Sequence, residues 1–153
     1  MKTLIIVYSY HHQNTQKIAG AMAQAMGAEV KNPQEISASE LAGYDLIGFG
    51  AGIDSGKHYK PLLDFAHGLS SGAGKKAFIF STCGVYGKKK MLKDHAALRE
   101  ILQGKGFQIA GDFACAGLDT NSVLKYIGGI GKGRPNAEDL QAAKAFAEKL
   151  ISG

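Results

Sequence analysis

The sequence lacks the patterns that build disulfide frameworks, metal centres and membrane spans. Its two cysteines, Cys83 and Cys115, are too few for a disulfide framework and are expected to be reduced thiols. No set of histidine, cysteine and carboxylate residues has metal-ligand spacing. No stretch is long and apolar enough to cross a bilayer, and Met1 leads into an apolar segment without a signal-peptide pattern. We therefore expect a cytoplasmic protein without a bound metal or membrane insertion.

Motifs of several functional classes are also missing. There is no helix-turn-helix, zinc finger or basic and aromatic platform, which argues against a nucleic-acid partner. A small phosphatase needs Cys-x5-Arg, but the sixth residue after Cys83 is Lys89. A receiver-type signalling domain needs an acidic pair after its first strand, where this chain has Tyr8-Ser9, and its Asp54 lies inside a glycine-rich segment. The receiver domain remains the alternative from another class, and these residues disfavour it.

The composition is that of a globular protein with a positive charge. The chain of 153 residues is 45% hydrophobic and 20% charged, which predicts a single domain over residues 1–153. The formal net charge is +5, and part of it lies in the run Lys88–Lys90, which is typical of a solvated turn. Such charge could also attract an anionic ligand or an acidic partner.

Hydrophobic periodicity predicts that strands and helices alternate along the chain. Continuous apolar runs indicate buried parallel strands, and apolar residues at helical spacing indicate the helices between them. Five repeats of this alternation predict an α/β fold, with a five-stranded parallel sheet of order 2-1-3-4-5 and helices on both faces. The predicted strands cover 3–8, 28–31, 44–50, 76–81 and 108–116, and the predicted helices cover 15–26, a segment starting at Pro61, 91–102 and a segment starting at Pro135-Asn136.

The loop after the first strand has the features of an anion site. Ser9, Asn14 and Thr15 lie between that strand and the first helix, and Asn14 is a good N-cap residue. Backbone N–H groups and the positive end of the helix dipole would point at an anion held there. The alternative is a helix cap without a ligand.

Two further segments at the same edge of the sheet are rich in glycine. They are residues 50–56, expected to form a loop after the third strand, and residues 81–87, expected to form a loop after the fourth. Glycine would let the backbone approach the edge of a flat ring and form hydrogen bonds to it. The strand ends therefore suit a ligand with a phosphate and a planar ring.

At these three segments the sequence resembles the flavodoxin family over essentially its whole length. Tyr8-Ser9 followed by Asn14-Thr15 resembles the loop that wraps the phosphate of FMN. The two glycine-rich segments resemble the loops on either side of the isoalloxazine ring. The resemblance implies a three-layer flavodoxin-like sandwich that binds FMN through Ser9, Tyr10, His11, Asn14, Thr15, Gly50, Ala51, Gly52, Ile53, Ser81, Thr82, Cys83, Gly84, Tyr86 and Asp119.

The sequence departs from the usual family pattern in several places. Four residues separate Ser9 from Asn14 where three are usual, and His12-Gln13 replaces Thr-Gly. The chain has no tryptophan, a common stacking residue in the family, so Tyr86 is the best stacking candidate. It is also basic, whereas electron-carrier flavodoxins are acidic. The segment 128–136 resembles the tail of a basic, short-chain flavodoxin-like subgroup.

The resemblance implies an electron carrier that works between redox partner proteins, and the positive charge would suit acidic partners. The alternative is an FMN-dependent oxidoreductase of the NAD(P)H:quinone reductase type that acts on a small acceptor. We favour the carrier over a stand-alone reductase, and we expect no catalytic side chains because the redox chemistry would belong to FMN.

Overall fold

The computed structural model describes residues 1–9, 14–83, 88–116 and 135–152 of the chain. Strands and helices alternate through these residues, apart from one short 3-10 helix and one short strand. The elements are β1 (Thr3–Tyr8), α1 (Asn14–Met26), β2 (Glu29–Lys31), a 3-10 helix (Ala38–Gly43), β3 (Leu46–Asp54), β4 (Lys57–His58), α2 (Lys60–His67), β5 (Lys76–Cys83), α3 (Lys88–Gly104), β6 (Gln108–Ala116) and α4 (Ala137–Ser152).

The sheet confirms the predicted fold class and strand order. Its main strands follow the order β2-β1-β3-β5-β6, and each neighbouring pair is parallel. Helices α1 and α4 pack against each other on one face, and α2 and α3 pack on the other. The prediction did not include β4, which pairs antiparallel with the end of β3 and lies outside the main strand order.

The sheet lies between two apolar cores, which explains why its strands are apolar on both faces. Along β1, Leu4 and Ile6 pack on the α2–α3 side, whereas Ile5 and Val7 pack on the α1–α4 side. All four side chains are buried. A parallel strand covered by helices on both faces has no solvated side, so the continuous apolar run is the expected pattern.

The third predicted strand has different bounds in the structure. It was expected to cover 44–50 and to end in a glycine-rich loop, but β3 runs from Leu46 to Asp54. Gly50, Ala51, Gly52 and Ile53 are therefore strand residues. The ladder continues because Ala51 pairs with Tyr8 of β1 and with Ser81 of β5. Glycine content predicted a loop, and pairing on both sides of β3 overrides that preference.

The last strand contains a β-bulge that the sequence did not reveal. The predicted bounds of β6 are confirmed, but Ala77 pairs with Ile109 while the next residue, Phe78, pairs with Gly111. Ala110 is thus an extra residue in β6. An extra residue reverses which face the following side chains reach. Ile109 accordingly packs on the α2–α3 side, whereas Gly111 lies against the Phe146 ring of α4.

The lysine run begins a helix instead of forming a turn. Lys88, Lys89 and Lys90 form the first turn of α3. The positive end of the helix dipole disfavours cations at this position. Lys90 is compensated by an ion pair with Asp94 at 2.5 Å.

No helix among the described residues is long and apolar enough to cross a membrane. The cytoplasmic location remains a prediction from the sequence.

Replacing Gly20 by alanine is expected to stabilise the protein by about 0.5–1 kcal/mol, because glycine is a poor residue in a helix interior. Gly20 is an exposed residue of α1, and a Cβ added there would meet nothing within 4 Å. Urea unfolding of Gly20→Ala and the unmodified protein measures the change. A loss of stability would contradict the helical environment described here.

Candidate functional site

The carboxyl ends of three neighbouring strands lie at one level and form the floor of the candidate site. Tyr8 of β1 pairs with Ala51 of β3, and Ala51 pairs with Ser81 of β5. The predicted phosphate-side and ring-side segments therefore converge at one edge of the sheet. Ligands in doubly wound sheets bind at this edge, where the strand order changes direction.

On the phosphate side, hydroxyl groups gather at the start of α1. Asn14 and Thr15 are both buried, and Thr15 Oγ1 lies 2.7 Å from Thr82 Oγ1 of β5. Ser9 directly follows β1, and its buried Oγ has no hydrogen-bond partner in the part of the chain that the structure describes. A buried hydroxyl without a partner is unfavourable unless a ligand or water satisfies it. These donors suit a phosphate held by hydrogen bonds and by the helix dipole.

The glycines of β3 are required by the protein's own aromatic rings. A Cβ at Gly50 would come within 2.2 Å of the Phe80 ring, and one at Gly52 would come within 2.7 Å of the Tyr59 ring. Tyr59 also contacts Tyr8 edge to face, with ring centroids 6.1 Å apart. Internal packing thus accounts for both glycines. Their contact with a flavin remains a prediction.

The end of β3 turns back through a tight hairpin. Asp54 pairs with Lys57, and between them Ser55 and Gly56 have φ values of 54° and 79°. Two positive φ angles are typical of a type I′ turn, which matches the twist of a two-residue hairpin. The turn brings His58 into the core under β5, where it is buried.

A set of buried and partly buried polar side chains lies between β4, β5, α3 and β6, and we call it the histidine array: Ser81, His95, Asp112, Arg99 and His58. His95 Nε2 lies 2.7 Å from Ser81 Oγ, and His95 Nδ1 lies 2.7 Å from Asp112 Oδ2. Arg99 donates a hydrogen bond to the same carboxylate oxygen.

His58 joins this array through its ring and through the backbone of β5. Its Nε2–H donates to the carbonyl oxygen of Phe80 at 2.9 Å, and its ring centroid lies 4.9 Å from that of His95. The other ring nitrogen, Nδ1, is buried and has no hydrogen-bond partner in the described parts of the chain. His58 therefore fixes the hairpin to β5 by a single hydrogen bond.

The pKa values in the array follow from burial and from its ion pairs. Burial, and to a smaller extent the nearby His95, lower the pKa of His58 to about 3. Burial alone would raise the pKa of Asp112, but hydrogen bonds from His95 and Arg99 and the Arg99 charge hold it below its usual value. Asp112 is therefore an ionised acceptor, so His95 Nδ1 carries a proton. In the neutral ring, Nε2 then accepts the Ser81 hydroxyl proton.

Ser81, His95 and Asp112 have the connectivity of a hydrolytic triad, but their burial rules out that chemistry. Ser81 is 1% exposed and His95 is 0% exposed. A nucleophilic serine must reach a substrate carbonyl, with oxyanion donors beside it. Ser81 lies beneath α3 in the protein interior, so the array acts within the fold.

Sequence reasoning found His95 but missed its partners. The helical spacing of His95, Leu98 and Leu102 in the sequence predicts that the three share one face of a helix, and in the structure all three are buried on α3. Ser81 was assigned to the ring side only, while Arg99 and Asp112 received no role. A charged residue inside an otherwise uncharged strand, Asp112, was the available signal. The candidate residues Tyr10, His11, Gly84, Tyr86 and Asp119 lie outside the described residues.

Comparisons with known proteins agree with this architecture. A model of the flavodoxin domain matches residues 5–148. An uncharacterized protein of Methanocaldococcus jannaschii is 44% identical over 151 residues, which cover 99% of each chain. Oxidised flavodoxin 2 from Bacillus cereus has a similar structure, with a TM-score of 0.73, 20% identity and 99% of each chain covered. For a flavodoxin from Streptococcus pneumoniae the TM-score is 0.71, with 16% identity and 98% of each chain covered.

Proposed function

The chain belongs to the flavodoxin domain family, and on this premise we propose that it binds FMN at the carboxyl ends of β1, β3 and β5 and carries electrons between redox partner proteins. When bound, FMN would supply the redox chemistry, and the protein would supply binding, orientation and electrostatics. The observation that carries the proposal is the buried Ser9 hydroxyl without a partner at the start of the phosphate-side segment.

Ser9, Asn14 and Thr15 would hold the phosphate. In the Thr15–Thr82 pair one hydroxyl donates a hydrogen bond to the other. The accepting hydroxyl keeps its own hydrogen, which would be available to donate to a phosphate oxygen. No lysine or arginine is needed, because the first N–H groups of α1 face the same point. A neutral phosphate site of this kind favours a ligand such as FMN, whose ring makes further binding contacts.

The residues of β3 and β5 would flank the ring. Gly50, Ala51, Gly52 and Ile53 line one side, and Ser81, Thr82 and Cys83 line the neighbouring strand end. Their backbone groups would hydrogen-bond to the edge of the ring.

Exposed lysines near this edge support an acidic redox partner. Lys57 lies at the β3–β4 hairpin, and Lys88 and Lys89 lie in the first turn of α3. All three are exposed. Helix N-termini disfavour cations, so the two α3 lysines are better explained by an anionic partner than by stability. Raising the ionic strength would then slow electron transfer to that partner.

Replacing Ser9 by alanine is expected to weaken FMN binding by about 10- to 100-fold, because it removes a hydrogen bond to a charged phosphate. The same change should leave the apoprotein equally stable or slightly more stable, because the hydroxyl has no partner there. Quenching of FMN fluorescence measures the affinity, and urea unfolding measures the stability.

Thr3→Val is the matched control. Thr3 Oγ1 is also buried without a partner in the described residues, but it lies at the opposite end of β1. FMN affinity should not change in this variant. If the unmodified protein shows no flavin absorbance and no quenching at tens of micromolar FMN, the proposed function is wrong.

Steady-state assays distinguish the carrier from the reductase. A carrier loaded with FMN should not oxidise NAD(P)H continuously when a small quinone is the only acceptor. Sustained turnover in that assay would favour the reductase.

A further inference from the structure

We infer that His58 and His95 are positioning residues that hold the two ring-side segments in the geometry that receives the flavin ring. The segments are the hairpin Ile53–His58 and the carboxyl end of β5, Ser81–Cys83. This inference rests on the proposed function and adds a role for side chains that need not touch the cofactor.

His58 connects the hairpin to β5. Among the described strands, β4 pairs with the end of β3 alone, and it has two residues. A strand this short is weakly held by its own ladder. The hydrogen bond from His58 Nε2–H to the Phe80 carbonyl ties it across to the neighbouring strand. That bond lies one residue before Ser81, where the second segment begins.

His95 fixes the second segment from below. Its Nε2 contacts Ser81 Oγ, and its Nδ1 contacts Asp112 of β6. One ring thus links α3 to two strands at the level of the candidate site. Arg99, one turn further along α3, contacts the same Asp112 carboxylate and fixes its orientation.

The β-bulge at Ala110 makes this arrangement possible. Without the extra residue, Asp112 would face the α1–α4 core that contains Phe146. With it, Asp112 faces α3 and meets His95 and Arg99. Bulges commonly redirect a side chain next to a functional site.

The array is built in a way that stability alone does not explain. His58 is 1% exposed and keeps one ring nitrogen without a partner in the described residues, which is unfavourable in an apolar core. An aliphatic side chain would fill the same space without that cost. The directional hydrogen bonds of a buried polar network instead specify one arrangement of the segments around it. Preorganised segments bind a rigid ligand more tightly because less ordering is needed on binding.

The test compares His58→Gln with His58→Leu. A glutamine amide nitrogen takes nearly the position of the histidine Nε2 and can donate to the Phe80 carbonyl, whereas leucine cannot. Riboflavin, which has the ring but no phosphate, is the probe. We expect His58→Leu to weaken riboflavin binding about five- to tenfold, as for loss of one hydrogen bond, and His58→Gln to restore most of the affinity.

A comparison of two variants also tests His95. His95→Gln keeps an amide group near Ser81 that can accept its hydroxyl hydrogen through the amide oxygen, and it loses the contact with Asp112. His95→Asn instead loses the contact with Ser81. The asparagine variant should bind riboflavin more weakly than the glutamine variant. Amide hydrogen exchange of the apoprotein gives a readout without any flavin: residues 53–58 should exchange faster in His58→Leu than in His58→Gln.

Leu102→Ala is the control for a general loss of stability. Leu102 is buried near the far end of α3, away from the candidate site. The Leu102→Ala variant should have a lower midpoint of thermal unfolding and an unchanged affinity for riboflavin. The inference is overturned if the unmodified protein binds riboflavin and His58→Leu binds it equally well. It falls together with the proposed function if the unmodified protein binds neither riboflavin nor FMN.

Discussion

Acidification from pH 6.5 towards pH 3 is expected to destabilise the protein by up to about 1.4 kcal/mol per pH unit through His58 alone. In the folded protein its pKa is lowered from 6.5 to about 3, so the ring stays neutral in this range. In the unfolded chain the same ring takes up a proton below about pH 6.5. The unfolded state then binds more protons, and stability falls as the pH falls.

The groups that face His58 all belong to the array or to β5. They are His95 and Arg99 of α3, Asp112 of β6 and the Phe80 carbonyl. The lowered pKa of Asp112 acts in the same direction, because protonating this carboxylate in acid removes its ion pairs. The contribution of His58 is therefore obtained by comparing how the free energy of unfolding changes with pH in the unmodified protein and in a His58 variant.

Urea unfolding at pH 7, 5 and 4 measures this difference. His58→Gln keeps the hydrogen bond to Phe80 and cannot be protonated, so its stability should decline less in acid. His67→Gln, which changes an exposed histidine at the end of α2, should follow the unmodified protein. Parallel stability curves for His58→Gln and the unmodified protein would show that His58 is not buried as described.

Replacing Gly50 by alanine is expected to destabilise the protein by about 1–3 kcal/mol, because the new methyl group overpacks the core. Its Cβ would lie 2.2 to 2.5 Å from three atoms of the Phe80 ring, and Phe80 is fully buried. The ring has no free space to move into, because it stacks on Phe78 with centroids 6.0 Å apart. The strain must therefore displace β3 or β5.

A double-mutant cycle with Phe80→Leu tests the cause. Leucine leaves room for the methyl group, so Gly50→Ala should cost clearly less in the Phe80→Leu background than alone. Gly20→Ala adds the same methyl group in open space and is the control, because it is expected to raise the free energy of unfolding. Additive effects of the Gly50 and Phe80 changes would mean that the two residues do not compete for space.

The strands of this fold could be predicted because parallel strands buried on both faces are continuous apolar runs. The bounds of β6 were correct, and the two-sided burial of β1 follows from its composition. The end of β3 was wrong because Gly50 and Gly52 were read as loop residues. Glycine is required at these two positions because the rings of Phe80 and Tyr59 lie against them. These aromatic residues are 30 and 7 positions further along the chain, and local sequence patterns do not reveal such contacts.

The candidate site was predictable on its phosphate side and less so beneath its ring side. Ser9 follows the end of β1, and Asn14 and Thr15 begin α1, so local sequence was sufficient to place them at a strand end and a helix start. The histidine array joins residues from four elements, β4, β5, α3 and β6, and its geometry depends on a bulge that leaves no mark in the hydrophobic pattern. Ser81 and Asp112 were thus not recognisable as partners of His95.

The bulge at Ala110 also affects how relatives of this protein should be compared. Removing one residue there would shift the later part of β6 by one register position, bringing Phe113 to the α3 side and Asp112 to the α4 side. A relative aligned with a one-residue gap at this point would lack the array even with an aspartate opposite Asp112. The number of residues in β6 at this point is therefore as informative about the presence of the array as the identity of residue 112.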